Sequence, residues 1–290
     1  MDEKGLIRLN RYIDTMPALS ITISKILEVT KNPTVTAKDL NKVISLDPVL
    51  VGKVLRLVNS AYYGLSNKVT SLVTAIIMLG INTIKNLALS TAVLGNMRKK
   101  TSFKSLNVDG FWRHSIVTAM AARALVKSVL QVKMIDPESA FCAGILHDIG
   151  KLVFEQYVHD DYQLACQCAR EQSLPLIMAE SKTMGIDHAG IGRLLAERWA
   201  LPMELEDSIV SHHDPKPGSP TADVVAAVHL ANVMAHELNV NLWDGEKPST
   251  VSPGALAILR LTEASYATIR TRVQEEIEKS DEFFSIINAG

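Results

Sequence analysis

Residues 142–154, CAGILHDIGKLVF, place His147, Asp148 and Lys151 inside an otherwise apolar run. This stretch constrains the fold because a buried ionisable side chain is strongly destabilising unless it is paired, hydrogen-bonded or bound to metal. Either these three side chains lie on a solvated stripe, or the surrounding structure supplies compensating partners. The residues that could serve as partners therefore have to be sought elsewhere in the chain.

Helical patterning dominates the sequence, and alternating strand patterns bounded by hairpin turns are hard to find. Thr36 and Asp39 are spaced as a capping box, and Asp47 followed by Pro48 is typical of another helix start. Ser71 and Gly80 bound a further helix. Later helices are predicted at about 111–131, 137–157, 159–173, 175–184, 187–199, 202–213 and 220–238, with two more after Pro253. The sequence therefore predicts an all-α fold.

A polar stretch divides the apolar patterns into two parts. We predict an N-terminal helical lobe over 1–97, a linker at 98–110, a second helical lobe over 111–240, and a C-terminal loop with helices over 241–290. The helix–glycine–helix pattern at 71–97 is compatible with a DNA-reading helix-turn-helix. Its second helix offers only Lys85 and Asn86 as polar readers, which favours core packing instead.

Composition narrows the classes of protein that this chain can represent. The 290 residues are 47% hydrophobic, enough for a large core, and the net charge of −1 gives no footprint for nucleic acid. No apolar stretch is long enough for a membrane span, and MDEKGLIRLN lacks the features of a signal peptide. The three cysteines form no disulfide framework and are interpreted as reduced structural residues. We expect a cytoplasmic protein, with homodimerisation left open.

Histidines are the candidate partners of the buried aspartate. The candidate set contains Asp148 and five imidazoles from four helical segments. The imidazoles are those of His114, His147, His188, His212 and His213. Imidazole and carboxylate ligands suit iron, manganese or zinc, and we predict that the set holds one or two divalent ions. The alternative is that each histidine is an ordinary core or surface residue, as we predict for His229 and His236. Lys151, four residues after His147, is placed to meet a phosphate oxygen beside bound metal.

The order of these motifs resembles a known family. The stretches FWRHS, AGILHDIGKL, GIDHAGIGRLLAERWALP and SIVSHHDP are similar to the HD-related output domain, HDOD, a relative of the HD phosphohydrolases. ISLDPVLVGKVLRLVNSAYYG and VTSLVTAIIMLGINTIKNLALS resemble the N-terminal part of the same family. The resemblance covers roughly residues 10–240 and implies two helical lobes, the second being an HD-type bundle. It also implies a bacterial signalling role, in a family many of whose members are thought to lack catalysis.

The family's ligand pattern is retained only in part. The resemblance assigns the first ligand to His114, the His-Asp pair to His147 and Asp148, the extra histidine to His188, and the His-His pair to His212 and His213. The later aspartate falls at Asn232, and the glutamate that HD-GYP phosphodiesterases place before the first histidine falls at Gly110. The Gly-Tyr-Pro stretch is replaced by HHDPKPGSP. These departures disfavour hydrolysis of cyclic di-GMP, since a two-ion site needs negative charge.

Two functions from different classes follow from these features. The first is a bacterial regulatory module that acts through interactions with an unknown signalling protein and holds metal in its second lobe. The second is a metal-dependent phosphohydrolase acting on a nucleotide or another phosphorylated small molecule, with Asp148 and Lys151 as catalytic residues. A DNA-binding regulator is a third, less favoured interpretation.

Overall fold

A computed structural model of the chain describes residues 14, 19–60, 63–97, 106–129, 133, 135–240 and 250–278. All regular secondary structure in these ranges is α-helical, which confirms the predicted all-α class. The described residues of 18–99 and 274–278 form one compact unit, and residue 14 with those of 100–273 forms another. None of the described helices has both the length and the apolar composition needed to cross a membrane.

The first unit contains five described helices, and the starts of three of them were predicted from capping residues. Thr36 and Asp39 form the expected capping box, with reciprocal hydrogen bonds of 3.0 and 3.3 Å. Asp47 caps the next helix by accepting the N–H of Leu50 at 3.0 Å. The helices are α1 (Ile21–Val29), α2 (Ala37–Ile44), α3 (Pro48–Val58), α4 (Leu72–Leu79) and α5 (Ile81–Met97).

Two details of the first unit bear on the sequence predictions. Gly80 adopts a φ of 88° between α4 and α5, so this glycine ends α4 as predicted. The helix α3 ends at Val58, with Asn59 as its C-cap, and Gly64 (φ 59°) lies in the loop that follows. Asn86 is buried on α5, as expected for core packing. A buried side chain cannot contact DNA bases, so only Lys85 is left of the two polar residues that a DNA-reading helix would use.

The second unit contains the remaining helices. The helix α6 packs extensively against α7 and α13, and α8 packs against α11. Its helices are α6 (Val108–Val129), α7 (Pro137–Leu146), α8 (Ile149–Tyr157), α9 (His159–Gln172), α10 (Leu176–Met184), α11 (His188–Arg198), α12 (Met203–Ser211), α13 (Ala222–Glu237), α14 (Pro253–Leu259) and α15 (Glu263–Glu278).

The single helix predicted over 137–157 is wrong, because it is interrupted at His147 and Asp148. His147 is the C-cap of α7, and Asp148 (φ −100°, ψ 13°) is the N-cap of α8. Apolar residues continue on both sides of the interruption, so the hydrophobic pattern alone does not reveal it. Consequently Lys151 pairs with Asp148 and does not share one helical face with His147.

Glycines permit the close helix approaches around this interruption. A Cβ at Gly144 would lie 2.6 Å from Cα of Ala119 on α6. A Cβ at Gly150 would overlap the carbonyl oxygen of His188, and one at Gly192 would lie 2.5 Å from Cγ2 of Ile209. Real Cβ atoms do not approach so closely, so these helices can meet at such distances only where a side chain is absent.

The predicted domain limits stay a prediction. Residues 98–105 of the proposed linker and 241–249 of the C-terminal loop lie outside the described residues, whereas α6 already begins at Val108. The two helices predicted after Pro253 are present as α14 and α15. Tyr266 attaches α15 to α13 by donating a hydrogen bond to the carbonyl of Leu230 at 3.2 Å.

Candidate metal centre

The carboxylate of Asp148 lies at the centre of the second unit, surrounded by histidines. Its Oδ2 is 3.2 Å from Nε2 of His147 and 3.8 Å from Nε2 of His114. Its Oδ1 is 3.4 Å from Nε2 of His188 and 3.5 Å from Nε2 of His212. Residues from α6, the α7–α8 junction, α11 and the end of α12 therefore converge on one carboxylate.

The other ring nitrogen of each histidine fixes which tautomer is present. All four rings place Nδ1 against an oxygen acceptor: His114 at Val240 O (2.8 Å), His147 at Gly144 O (2.8 Å), His188 at Glu180 Oε2 (2.6 Å), and His212 at Ser208 O (3.1 Å) and Ile209 O (3.0 Å). A carbonyl or carboxylate oxygen accepts a hydrogen bond, so the hydrogen of each neutral ring is on Nδ1. Every Nε2 atom is then left with a lone pair that points toward the carboxylate.

This arrangement fits a bound cation. The Nε2 atoms of His114, His147 and His212 and the Oδ1 atom of Asp148 are buried and make no hydrogen bond. Acceptor lone pairs facing a carboxylate repel one another, and buried polar atoms are seldom left without a partner. One or two divalent ions would give these atoms partners, because imidazole nitrogen and carboxylate oxygen are common ligands of transition metals.

Protonation of the rings is a poorer explanation of the same geometry. Burial lowers the pKa of His212 to about 4, and burial together with nearby His236 and His147 holds the pKa of His114 well below its usual range. Burial raises the pKa of Asp148, but His147 and Lys151 outweigh it and hold that pKa well below its usual range. At neutral pH the site therefore combines the neutral imidazoles of His114 and His212 with one ionised carboxylate.

The ligand atoms form two overlapping groups that share Asp148. One contains Asp148, His188, His212 and His213, and the other contains His114, His147 and Asp148; within each group the atoms lie within 4.8 Å of one another. In the first group, Nε2 of His188 is 2.9 Å from Nε2 of His213. The sequence-predicted metal residues are thus brought together, in an arrangement that could hold one or two ions.

Lys151 is also part of this cluster. Its Nζ lies 2.7 Å from Oδ2 of Asp148, and the residue is 3% exposed. A buried ion pair of this length compensates the charge of the carboxylate. The lysine is therefore directed at the aspartate, whereas the sequence analysis expected it to meet a phosphate.

Sequence reasoning missed two residues that orient the ligands. Glu180 is fully buried on α10, and its Oε2 accepts hydrogen bonds from both the Nδ1 and the backbone N–H of His188, at 2.6 and 2.8 Å. His229, predicted to serve in packing, hydrogen-bonds the carbonyl oxygen of His212 through Nδ1 at 2.7 Å. Such contacts fix the orientation of metal-binding histidines. No local sequence signal marks Glu180, because its burial depends on the packing of α10 against α11.

At two positions where the family resemblance implies a carboxylate, this chain has Asn232 and Gly110. Asn232 is buried on α13, one turn before His236, and its Oδ1 atom makes no hydrogen bond. The ring of His236 lies 4.9 Å from that of His114, so this turn of α13 borders the cluster. Gly110 lies on α6, one turn before His114. Asp148 is therefore the one carboxylate in either candidate ligand group of the described residues.

The members of the cluster differ in their exposure to solvent. His114, His147, Asp148 and His212 are completely buried, and His188 is 1% exposed. His213 is the member with intermediate exposure.

An all-helical lobe whose His-Asp pair is surrounded by further histidines defines the HD-type class of proteins. Within that class, the HDOD domain model matches residues 16–215. This match covers more than half of the chain, so the chain belongs to the HDOD domain family, as its sequence motifs indicated.

Known proteins of similar sequence or structure agree with this assignment. An uncharacterized protein of Treponema pallidum (strain Nichols) is 26% identical over 245 residues, which is 84% of this chain and 46% of that protein. The chain thus spans about half the length of this curated relative. A crystal structure of an HDOD domain protein of unknown function from Geobacter sulfurreducens is similar over 99% of this chain and 97% of its own, with a TM-score of 0.75 and 22% identity. A candidate phosphohydrolase of Shewanella amazonensis SB2B is similar over 97% and 96%, with a TM-score of 0.70 and 26% identity.

Proposed function

We propose that the chain is a regulatory HDOD module that holds a divalent metal ion in its second unit and acts through interactions with a signalling protein. The observation that carries this proposal is the closure of the cluster around Asp148. Structural metal sites are closed by protein ligands, whereas catalytic sites keep one position open for water or substrate. Here Asp148 and three of the histidines are completely buried, and only His213 is partly exposed.

The ligand groups favour one tightly held ion over two. Asp148, His188, His212 and His213 supply four ligand atoms, the number that a structural zinc site uses. The second group has three, and the carboxylate that would complete it is replaced by Asn232, which offers a neutral oxygen. Lys151 also offsets the charge of Asp148. A second dication therefore meets little negative charge, and we expect it to bind weakly.

This chain's residues would then use the metal for structure or sensing. The ion would supply a positive charge and directional coordination at the meeting point of four helical segments. Glu180 and His229 would hold His188 and His212 in the coordinating orientation through the hydrogen bonds given above. Loss or exchange of the ion would change how firmly these segments pack, and a signalling partner could detect that change.

A metal-dependent phosphohydrolase is the second candidate function. It is favoured by the partial exposure of His213 and by the candidate phosphohydrolase that is 26% identical to this chain. In this case His147 and Asp148 would help to hold metal, and Lys151 would have to leave Asp148 to bind a phosphate oxygen. The 2.7 Å ion pair opposes that movement.

Metal content and hydrolysis, measured on the same tag-free protein, distinguish the two functions. We expect about one equivalent of iron, manganese or zinc in the wild-type protein and its loss from His188→Ala and His212→Ala. His159→Ala, outside the cluster, is the control and should keep the metal. We expect bis(p-nitrophenyl) phosphate to be hydrolysed no faster by the wild type than by His147→Ala. Metal-dependent turnover that His147→Ala abolishes would replace the regulatory function with the hydrolytic one.

A further inference from the structure

A groove of about 670 Å³ lies in the first unit, between α3 and the loop that follows it. Its walls include Leu55, Arg56 and Asn59 from α3 and its C-cap, and Leu65, Lys68 and Val69 from the loop. The volume falls within the range of about 300–1,000 Å³ that is typical of ligand pockets. The groove belongs entirely to the unit that lacks the candidate metal centre.

The loop wall of the groove is held in place by one asparagine side chain. Oδ1 of Asn59 accepts the backbone N–H of Val69 at 2.7 Å. Nδ2 of Asn59 donates to the carbonyl of Val69 at 2.7 Å and to that of Leu55 at 2.8 Å. A loop tied to a helix in this way needs little ordering when a ligand binds, which favours affinity.

The chemistry of the walls selects a class of ligand. The residues that line the groove include two cations, Arg56 and Lys68, and no aspartate or glutamate. Both cations are exposed, and within the described residues neither forms an ion pair. Leu55 and Leu65 are half-buried beside them. Two positive charges in a groove that is also lined by leucines complement a ligand that combines carboxylates with an apolar side chain.

We propose that this groove docks an acidic peptide segment of a partner protein, with carboxylates at Arg56 and Lys68 and an apolar side chain against Leu55 and Leu65. The inference deepens the proposed regulatory function by naming the partner's chemistry, and it rests on that function. A peptide matches the walls better than a nucleic acid does, since nucleic acid needs a more extended basic surface and this chain has a net charge of −1.

The test uses the whole chain and a random dodecapeptide phage library. We expect selected sequences to be enriched in aspartate and glutamate beside leucine, isoleucine or phenylalanine. A fluorescein-labelled synthetic copy of the most enriched peptide should bind the charge-reversed double variant Arg56→Glu, Lys68→Glu at least about tenfold more weakly, because each reversal turns attraction into repulsion. The matched control is Lys25→Glu, Lys31→Glu, which reverses two exposed cations of the same unit outside the groove and should bind like the wild type.

The remaining outcomes overturn the inference. They are the selection of no peptide, no acidic enrichment, or binding that falls equally in both double variants. Displacement of the peptide by a 20-nucleotide single-stranded DNA whose binding also depends on Arg56 and Lys68 would assign the groove to nucleic acid. Thermal melting checks that both variants fold, and Arg56→Ala, Lys68→Ala replaces the reversed variant if it does not. The metal and hydrolysis measurements are independent of this groove, so its failure leaves the proposed function to be judged separately.

Discussion

The carboxylate of Glu180 on α10 lies 2.6 Å from Nδ1 of His188 on α11, and it also accepts the backbone N–H of His188 at 2.8 Å. One oxygen atom thus fixes both the ring tautomer and the first turn of the helix that carries a candidate ligand. Glu180 and His188 are both buried. Loss of this contact would therefore change the orientation of a candidate metal ligand.

Replacing Glu180 with alanine should weaken metal binding about 10- to 100-fold, since partners that orient a ligand contribute about that much to affinity. The check is a competition titration of the metal against a chelator. Glu171→Ala, which removes an exposed carboxylate of α9 that hydrogen-bonds Gln167, should leave the affinity unchanged. Equal affinity in the two variants would contradict an orienting role for Glu180.

Removal of the metal should lower the melting temperature. An ion present at about 1,000 times its Kd stabilises the folded state by about 4 kcal/mol. For a unit of this size, we expect a decrease of about 10 °C. Differential scanning calorimetry with and without chelator measures it. As the control, His188→Ala should melt at the same temperature with and without chelator. An unchanged melting temperature of the wild-type protein in chelator would contradict a structural ion.

Gly150→Ala should destabilise the second unit by about 1–3 kcal/mol, as overpacking of a close contact does. The added methyl group would overlap the carbonyl oxygen of His188 and push α11 away from α8. Gly52→Ala on α3 is the matched control, because its Cβ would meet nothing within 4 Å. It should stabilise the chain by about 0.5–1 kcal/mol through helix propensity. Urea unfolding measures the stability of both variants. Similar effects in the two variants would show that α8 and α11 can move apart enough to accommodate the methyl group.

Lys151→Met should have a larger effect on the metal-free protein than on the metal-loaded one. Without the lysine, the buried Asp148 carboxylate has lost its cation, and breaking a buried pair costs about 3–5 kcal/mol. A bound ion would replace much of that compensation. Lys133→Met removes a half-buried pair with Asp223 and should cost about 1 kcal/mol or less in both states. Equal losses for Lys151→Met with and without metal would contradict compensation of Asp148 by the ion.

Much of the fold was accessible from local sequence signals. The capping residues Thr36, Asp47 and Ser71 all begin helices as predicted, because capping depends on side chains within three residues. The interruption at Asp148 was not accessible. It depends on partners more than 30 residues away, His114 and His188, which no local pattern reveals.

The sequence predicted the residues that cluster around Asp148, but it did not predict the residues that orient them. The family motifs identify residues such as His114 and His188 directly. Glu180 lies in LIMAESKTM, where a glutamate is typical of an exposed helical face, and its burial follows only from the packing of α10 against α11. Lys151 lies in the predicted cluster, but the direction of its side chain depends on the break between α7 and α8.

The separation of the ligands along the chain gives the proposed ion one more consequence. Asp148 and His213 enclose a loop of about 65 residues, and closing a loop of that length with a covalent bridge would restrict the unfolded chain by about 4 kcal/mol. All three cysteines are free thiols, so no disulfide performs this task. A coordinated ion would act as a reversible cross-link that restricts the unfolded chain without oxidation. Whether this cross-link is present would depend on the supply of metal.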